Sequence, residues 1–525
     1  MPTFPELLRW FGIRPSASGN NNGSWLNVCC LNRGDDDEEE QQQKRLLAAA
    51  PRRRASRSDS KVTRTAMFLE HGSSQELKES YDIERKVIGR GGFGTVRRAT
   101  LKDSPHIVRA VKDVRKRTPK LQKTVHREIG VLRRLDHPNI CRLYETFEDT
   151  KHIYLIMELI EGRELFDELQ EEIMNGKRID ENRAACIMHQ VFSALSYCHE
   201  HDIIHRDLKP ENIMVCNQHE GQDSATPVIK IIDFGLAVLA DAEGYRTRQL
   251  EGTEAYLAPE AKMGNCLPVS DLWSTGVILH IILLGVFPKR SKSGGILDDE
   301  GVEKVISEDA RDLIRGLLEY DTELRFTAAQ AIKHTWTTGN YEQNPRRTAL
   351  LSDGVGNFMA FCRTQRLQQA ALTAMATQLS SQQMEQLQEQ FSAMDADGNG
   401  VISQSELLEA VRKAPPEGVT DLEAWVQATF DEVDTDGSGE IEFTEWQAIA
   451  LRNIAGFSDE AIHAAFRVLD SDNSGSISLQ ELARVLGDTP GDIKACLSEF
   501  DLNGDGEIDF EEFRDLLVKA IPRKG

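Results

Sequence analysis

The sequence predicts a multidomain chain: a bilobal α+β unit followed by an all-α unit of four helix–loop–helix repeats in two lobes. Three observations predict it. A glycine-rich turn, Gly89-Arg-Gly-Gly-Phe-Gly94, lies between strand-like segments and precedes Ala110-Val-Lys112 on the next alternating one. Further on, His205-Arg-Asp-Leu-Lys-Pro-Glu-Asn212 comes before Asp233-Phe-Gly235. Beyond both, a twelve-residue acidic loop with a fixed glycine recurs four times. A chain of 525 residues is long enough for about three domains.

Residues 1–78 show no sustained period. The acid run Asp35–Glu40, a glutamine triplet and the basic run Arg52–Arg54 are segregated polar blocks that bury little apolar surface, so a disordered arm is expected. Position 2 is proline, so the N-myristoylation pattern is absent. Cys29–Cys30 and Arg52–Arg57 are candidates for acylation and for contact with acidic lipid, against the plainer reading of two solvated thiols beside a flexible basic patch. The start of the chain lacks a secretory pattern, and the apolar run Gly276–Pro288 is too short to cross a bilayer and reads as a buried helix. The nine cysteines follow no metal spacing, so a cytoplasmic setting is expected, with peripheral membrane contact through the arm. Net charge is −23, and residues 381–525 alone carry 31 acidic against 10 basic residues, or −21. Nucleic-acid binding through that region is not expected, on charge grounds.

Residues 79–336 hold the chemistry of phosphoryl transfer. With Ile88 before it and Val96 two residues after, the stretch Gly89, Arg90, Gly91, Gly92, Phe93, Gly94 reads as the glycine-rich loop that lets backbone approach ATP phosphates. Lys112 grounds the α- and β-phosphates, and Glu128, sixteen residues on and on a helical pattern, is its candidate partner. Such transfer needs an oriented hydroxyl and neutralised phosphate charge. Asp207 is placed to accept the hydrogen bond of the attacking hydroxyl, while Asn212 and Asp233 offer the hard oxygens that Mg²⁺ prefers. Val228–Ile232 reads as a strand delivering Asp233.

With Ala258-Pro-Glu260, these motifs resemble the eukaryotic protein kinase family over Tyr81–Trp336, which implies the bilobal α+β protein-kinase fold. The resemblance implies several further roles. Lys209 marks the serine/threonine branch, Arg206 steadies the activation segment, and Thr253 shapes the pocket beside the acceptor. Glu260 pairs with Arg325, and Asp271 holds the catalytic loop from below. Met157, Glu158 and Leu159 look like gatekeeper and adenine hinge. Glu164 and Glu211 match positions that take basic residues of the substrate, implying basic-directed protein substrates. Between Lys289 and Ile306 about ten residues of the family pattern are missing, which predicts a shortened substrate-docking helix.

Residues 383–525 carry the loops Asp395–Glu406, Asp434–Glu445, Asp470–Glu481 and Asp501–Glu512. Calcium takes six to eight oxygens, a glycine at position 6 permits the sharp turn, and a glutamate at position 12 supplies two oxygens. The candidate ligands at positions 1, 3, 5, 7 and 12 are Asp395, Asp397, Asn399, Val401 and Glu406 in the first loop. They are Asp434, Asp436, Ser438, Glu440 and Glu445 in the second, and Asp470, Asp472, Ser474, Ser476 and Glu481 in the third. In the fourth they are Asp501, Asn503, Asp505, Glu507 and Glu512. Isoleucines 402, 441, 477 and 508 are expected to pair the loops one-with-two and three-with-four, making four EF-hands in two lobes. The serines of the third loop bring less charge, so it is expected to bind most weakly.

Residues 337–382 join the two units. Asn357–Ser380 reads as one helix about 36 Å long with Phe358, Phe361, Leu372, Met375 and Leu379 on a seam that Gln365 and Gln368 continue. Kinase, junction and four EF-hands in this order resemble the calcium-dependent protein kinases. That resemblance implies ATP, Mg²⁺ and Ca²⁺ as cofactors, and a junction helix that holds the kinase off until calcium-filled lobes seize it. Two other readings are a calcium-responsive scaffold with weak or no phosphotransfer, and a constitutive kinase carrying a calcium buffer. Arg346-Arg347 is a candidate basic pseudosubstrate.

Overall fold

The computed structural model describes residues 68–90, 94–216, 227–239, 252–289, 305–341, 350–351, 353–355, 357–358, 366–379, 381–416, 419–435, 437–451, 459–472, 474–486, 497 and 500–520. The acylation candidates, Arg346-Arg347, Gly91, Gly92, Phe93, Phe361, Gln365, Asp436 and the shortened segment after Lys289 as far as residue 304 lie outside them.

A six-stranded sheet of order β1-β5-β6-β4-β3-β2 builds the smaller lobe. Its strands are β1 Leu69–His71, β2 Tyr81–Arg90, β3 Thr95–Leu101, β4 Val108–Arg115, β5 Leu143–Glu148 and β6 His152–Glu158. The sheet corrects the expected arm. Residues 69–78 are not disordered: β1 pairs parallel to β5, and helix Ser74–Ser80 follows with Ser73 capping it. Leu77 is buried, and the His71 ring stacks on Phe147 at 4.4 Å and bonds Glu145. A three-residue strand is too short for alternation to reveal, so only its tertiary partners define it.

Helix Pro119–Leu132 packs on this sheet, opened by the Thr118 cap and a proline in its first turn. Val125, Glu128, Ile129 and Leu132 share its buried face at the three-and-four spacing, so the helix carries one acid into the core.

The larger lobe is helical around Glu181–Glu200 and Pro268–Leu284. The apolar run read as a buried helix forms the second half of Pro268–Leu284, whose residues from Ser270 to Leu283 are all buried. Short strands β7 Gly162–Glu164, β8 Ile203–Ile204, β9 Ile213–Cys216, β10 Ile229–Ile231 and β11 Val238–Leu239 line its upper edge. The antiparallel β9–β10 pair carries the chain to Asp233. No helix among the described residues is long and apolar enough to cross a membrane.

In the C-terminal unit, Ile402 bridges Ile441, and β12 Ser476–Ile477 pairs with β13 Ile508–Asp509 through Ile477 and Ile508. These are the two loop pairs the isoleucines predict. Helices flank the loops, among them Ser381–Met394, Gln404–Lys413, Phe443–Ala450 and Phe510–Ala520.

The junction helix runs over Arg366–Ala376 and turns at Thr377, short of the expected end at Ser380. Thr377 Oγ1 donates to the Ala374 carbonyl at 2.7 Å, and the Arg109 guanidinium of β4 reaches the Thr377 carbonyl and Gln378 Oε1, so the exposed carbonyls are capped rather than continued. Leu367, Ala370, Ala371, Leu372, Ala374 and Met375 are buried in one core with the EF-hand helices, and Gln368 donates to the Leu516 carbonyl. Phe358, fully buried, packs on Trp446 at 5.5 Å between ring centroids. Phe358→Ala is expected to lower the unfolding free energy by about 3–4 kcal/mol through the cavity it leaves, read by urea denaturation of the calcium-loaded chain.

Candidate active site and calcium loops

The strand registers bring the candidate catalytic groups together. Val96 on β3 lies opposite Lys112 on β4, and Lys112 opposite Leu155 on β6. Ile88, Gly89 and Arg90 end β2 over the cleft, with Ile88 exposed. A side chain at Gly94 would meet the Asp113 carbonyl at 2.2 Å, so only glycine permits the chain to lie this close to β4.

Lys112 Nζ lies 2.5 Å from Glu128 Oε1 and 3.9 Å from Asp233 Oδ1. Burial works against the lysine's charge, but Glu128 and Asp233 outweigh it and hold the ammonium well above its ordinary pKa. Burial likewise opposes ionisation of Asp233, yet Lys112 and the Gly235 N–H keep its carboxyl below the ordinary range. Asp233 has φ 62° and Arg206 φ 70°, left-handed conformations unusual for such residues and held by neighbouring bonds. Asp271 supplies them for the catalytic loop. Its two oxygens accept the His205 and Arg206 N–H groups at 2.9 Å, the contact expected from below.

Around Asp207, Oδ1 accepts the Thr253 N–H at 2.9 Å and the Thr253 hydroxyl at 2.8 Å. Lys209 Nζ donates to Asp207 Oδ2 at 2.8 Å and to Thr253 Oγ1 at 2.9 Å. Asn212 Nδ2 donates to the Asp207 carbonyl at 2.8 Å, which leaves its Oδ1 as an acceptor for a hard cation. The oxygen donors of Asn212 and Asp233 beside Lys112 therefore fit Mg²⁺ and a polyphosphate. Arg325 grips Glu260 through two nitrogens, at 2.5 and 3.0 Å.

Met157, Glu158 and Leu159 are buried at the end of β6. The Glu158 carboxylate has a partner that motif reading missed: Lys230 of β10 lies 2.8 Å away, both side chains are buried, and Arg142 N donates to the same carboxylate. A lone lysine inside the apolar strand Val228–Ile232 was the signal. It ties the hinge to the strand that carries Asp233.

The four calcium loops share one hydrogen-bond plan. The glutamate at position 12 accepts the N–H of position 2: Ala396 to Glu406, Thr435 to Glu445, Ser471 to Glu481 and Leu502 to Glu512, at 2.6–2.8 Å. The position-6 N–H donates to the first aspartate in each, Gly400 to Asp395, Gly439 to Asp434, Gly475 to Asp470 and Gly506 to Asp501, at 2.9–3.0 Å. Carboxylate oxygens of Asp395, Asp397 and Glu406 converge, as do those of Asp470, Asp472 and Glu481. Burial and then the facing Glu406 push the Asp395 carboxyl well above its ordinary value, an anionic crowding that a divalent cation relieves. Asn399, Val401, Ser438 and Glu440 turn within their loops, and Asn503 and Asp505 each accept the N–H two residues on. In the third loop Ser474 Oγ donates to the Ser476 carbonyl at 2.9 Å, and the Ser476 hydroxyl bonds Glu507 across the loop pair.

A catalytic cleft of this build joined to paired EF-hands defines a protein kinase with its own calcium-binding unit. Residues 82–337 match the protein kinase domain family, and residues 384–451 and 459–518 each match the EF-hand domain pair. Among similar proteins, calcium-dependent protein kinase 4 of Plasmodium berghei (strain Anka) is 36% identical over 88% of this chain and 90% of its own. Calcium-dependent protein kinase 3 of the same organism is 36% identical over 88% of this chain and 84% of its own. Calcium-dependent protein kinase 4 of Plasmodium falciparum (isolate 3D7) is 35% identical over 88% and 90%. The chain belongs to the calcium-dependent protein kinase family, which carries serine/threonine kinase activity and takes ATP, Mg²⁺ and Ca²⁺.

Lys230→Met is expected to leave Glu158 buried without its cation, costing about 3 kcal/mol of stability. Urea denaturation reads the loss, and ATP titration reads a weakened affinity that exceeds any fall in kcat.

Proposed function

We propose that this chain phosphorylates serine and threonine hydroxyls at sites preceded by basic residues, and that its junction helix is the element calcium moves. Asp207 accepts the hydrogen bond of the attacking hydroxyl and so orients it, Lys209 and Thr253 hold that carboxylate in place, and Lys112 with Glu128 positions the phosphates. Glu158 and Leu159 present backbone to the adenine. Asn212 and Asp233 would hold Mg²⁺, which supplies charge neutralisation at the transferring phosphate. The loop residues at positions 1, 3, 5, 7 and 12 would hold Ca²⁺, whose binding supplies the free energy that changes the sensor's shape. Asp436, the position-3 ligand of the second loop, belongs to the same proposed set.

One observation carries the regulatory reading: the junction helix is enclosed by EF-hand helices while Arg109 of the kinase sheet binds its end. Released from that grip, its apolar face requires another cover, and the catalytic domain is the nearest. Taking such a switch from about 1% to about 99% active requires about 5.5 kcal/mol of differential calcium binding.

The substrate reading rests on two acids. Burial, then Asp167 and Glu211, push the Glu164 carboxyl up to about 7, and burial also raises Glu211. Glu211 Oε2 is buried without a hydrogen-bond partner among the described residues. A guanidinium from a substrate satisfies both.

Peptide phosphorylation with Ca²⁺ or with chelator, alongside Asp207→Ala, tests the whole reading. Incorporation should need calcium and fall at least about a hundredfold in the variant. A rate indifferent to chelator overturns the switch. Because the Glu164 pKa is raised, the carboxyl is neutral below pH 7 and charged above. KM for an arginine-containing peptide should therefore fall as pH rises from 6 to 8, by at most about tenfold. Glu164→Gln should flatten that profile.

A further inference from the structure

The segment Phe68–Ser80 precedes the strand that leads into the glycine-rich turn, yet it is built into the smaller lobe. Strand β1 pairs with β5 as Leu69 to Glu145, Glu70 to Thr146 and His71 to Phe147. Without it β5 would be the edge of the sheet, with a row of unpaired N–H and C=O groups. The pairing also closes over a buried carboxylate. Glu145 accepts the Tyr81 hydroxyl and bonds His71 Nε2 at 2.9 Å. Burial opposes its ionisation, but the bonds to His71 and Tyr81 hold its carboxyl below the ordinary range. His71 belongs to the segment, so lifting β1 away takes a partner from a buried charge.

The same segment reaches the helix that carries Glu128. Phe68 is partly buried against the kinase core, and the Arg133 guanidinium lies over its ring, 4.6 Å from the centroid. Arg133 also pairs with Glu70. It is the C-cap of helix Pro119–Leu132, its N–H donating to the Ile129 carbonyl at 3.0 Å, about one and a half turns beyond Glu128. Glu70 is 61% exposed, so its ion pair contributes little by itself. The ring, the cation over it and the strand pairing are what hold the end of the helix. A helix is kept stiff by its own hydrogen bonds, so a fixed end fixes where its buried face places Glu128 against β4.

We propose that Phe68–His71 is a strap that positions Glu128: through Phe68 and Arg133 it clamps the end of the helix and keeps the Glu128 carboxylate on Lys112. The inference rests on the reading of Lys112 and Glu128 given above. Phe68 and Arg133 are positioning residues, acting through Glu128 rather than on the nucleotide. The EF-hand helix Asp459–Leu469 meets the segment at its other end, where Arg467 donates to the Ser80 hydroxyl at 3.0 Å. Phe68 and Arg133 can therefore be changed without altering that contact.

The test is a double-mutant cycle in the full chain, at saturating Ca²⁺ and peptide with ATP varied, using Phe68→Ala, Glu128→Gln and both together. Phe68→Ala should lower kcat/KM for ATP by at least about fivefold alone, and by less than about twofold when Glu128→Gln is already present. A segment that only supports the fold would cost the same factor in both backgrounds, and that equality overturns the proposal. A Phe68→Ala rate equal to wild type overturns it as well. Arg133→Gln removes the cation from the ring and leaves β1 paired. It should show the same non-additivity at smaller size, and it takes the place of Phe68→Ala if that variant has a lowered urea midpoint. A Glu128→Gln rate equal to wild type would remove Glu128 from the reaction and sink that reading together with the strap. A lowered Glu128→Gln rate with equal Phe68→Ala losses sinks the strap alone.

Discussion

An eleven-residue helix with leucine, alanine and methionine along its buried face is not stable exposed to water. Isolated helices of that length are marginal even with good propensity, and their stability comes from the surface that covers the apolar stripe. Much of the arrangement follows from this constraint. The EF-hand helices close over Leu372 and Met375, and Trp446 closes over Phe358. Arg109 ends the helix by taking carbonyl and amide oxygens that have no partner within it. The junction is covered at every described position of its apolar face, and a change of cover is a change of state.

The catalytic cleft obeys a different economy. Several of its charged groups are buried, and each persists because an opposite charge or a hydrogen-bond donor holds it. Lys112 depends on Glu128 and Asp233, Asp271 on His199 and on the His205 and Arg206 N–H groups, and Glu158 on Lys230. Three of these links join segments far apart in the chain: β4 to Asp233, the hinge to β10, and the catalytic loop to helix Pro268–Leu284. The same logic reaches across the domain boundary, where Asp136 and Arg142 are half of a polar network completed by Thr444 and Gln447. A buried network that needs groups from both units favours this meeting, because parting them takes the Thr444 N–H from Asp136 and two acceptors from Arg142 Nη2, even though Arg142 Nη1 and Gln447 Nε2 find no partner among the described residues.

Chemistry that repeats or that sits in a short motif was legible from residue order alone. The oxygen positions of the calcium loops, the Asp207–Asn212 segment and Asp233 are local sets: their spacing along the chain is the geometry the ion or phosphate requires. Glu128 was legible because helical period puts it on the buried face with Val125, Ile129 and Leu132. The buried second half of helix Pro268–Leu284 was legible because nothing but a core accepts such a run, though the helix stops at Leu284, where Gly285 turns left-handed, and not at Pro288.

What only the tertiary structure decided are the features whose cause is a distant partner. Strand β1 exists because β5 offers an open edge, not because three residues prefer extension. The junction helix stops at Ala376 because Thr377 and Arg109 take its carbonyls, while its periodicity runs on toward Ser380. Gly400 and Val401 read identically as calcium-loop residues whether they face water or His137. Sequence determined the chemistry of each site, because ligands and catalytic groups come from short segments. The fold alone determined which sites touch, because burial and charge pairing between segments hundreds of residues apart leave no period in the chain.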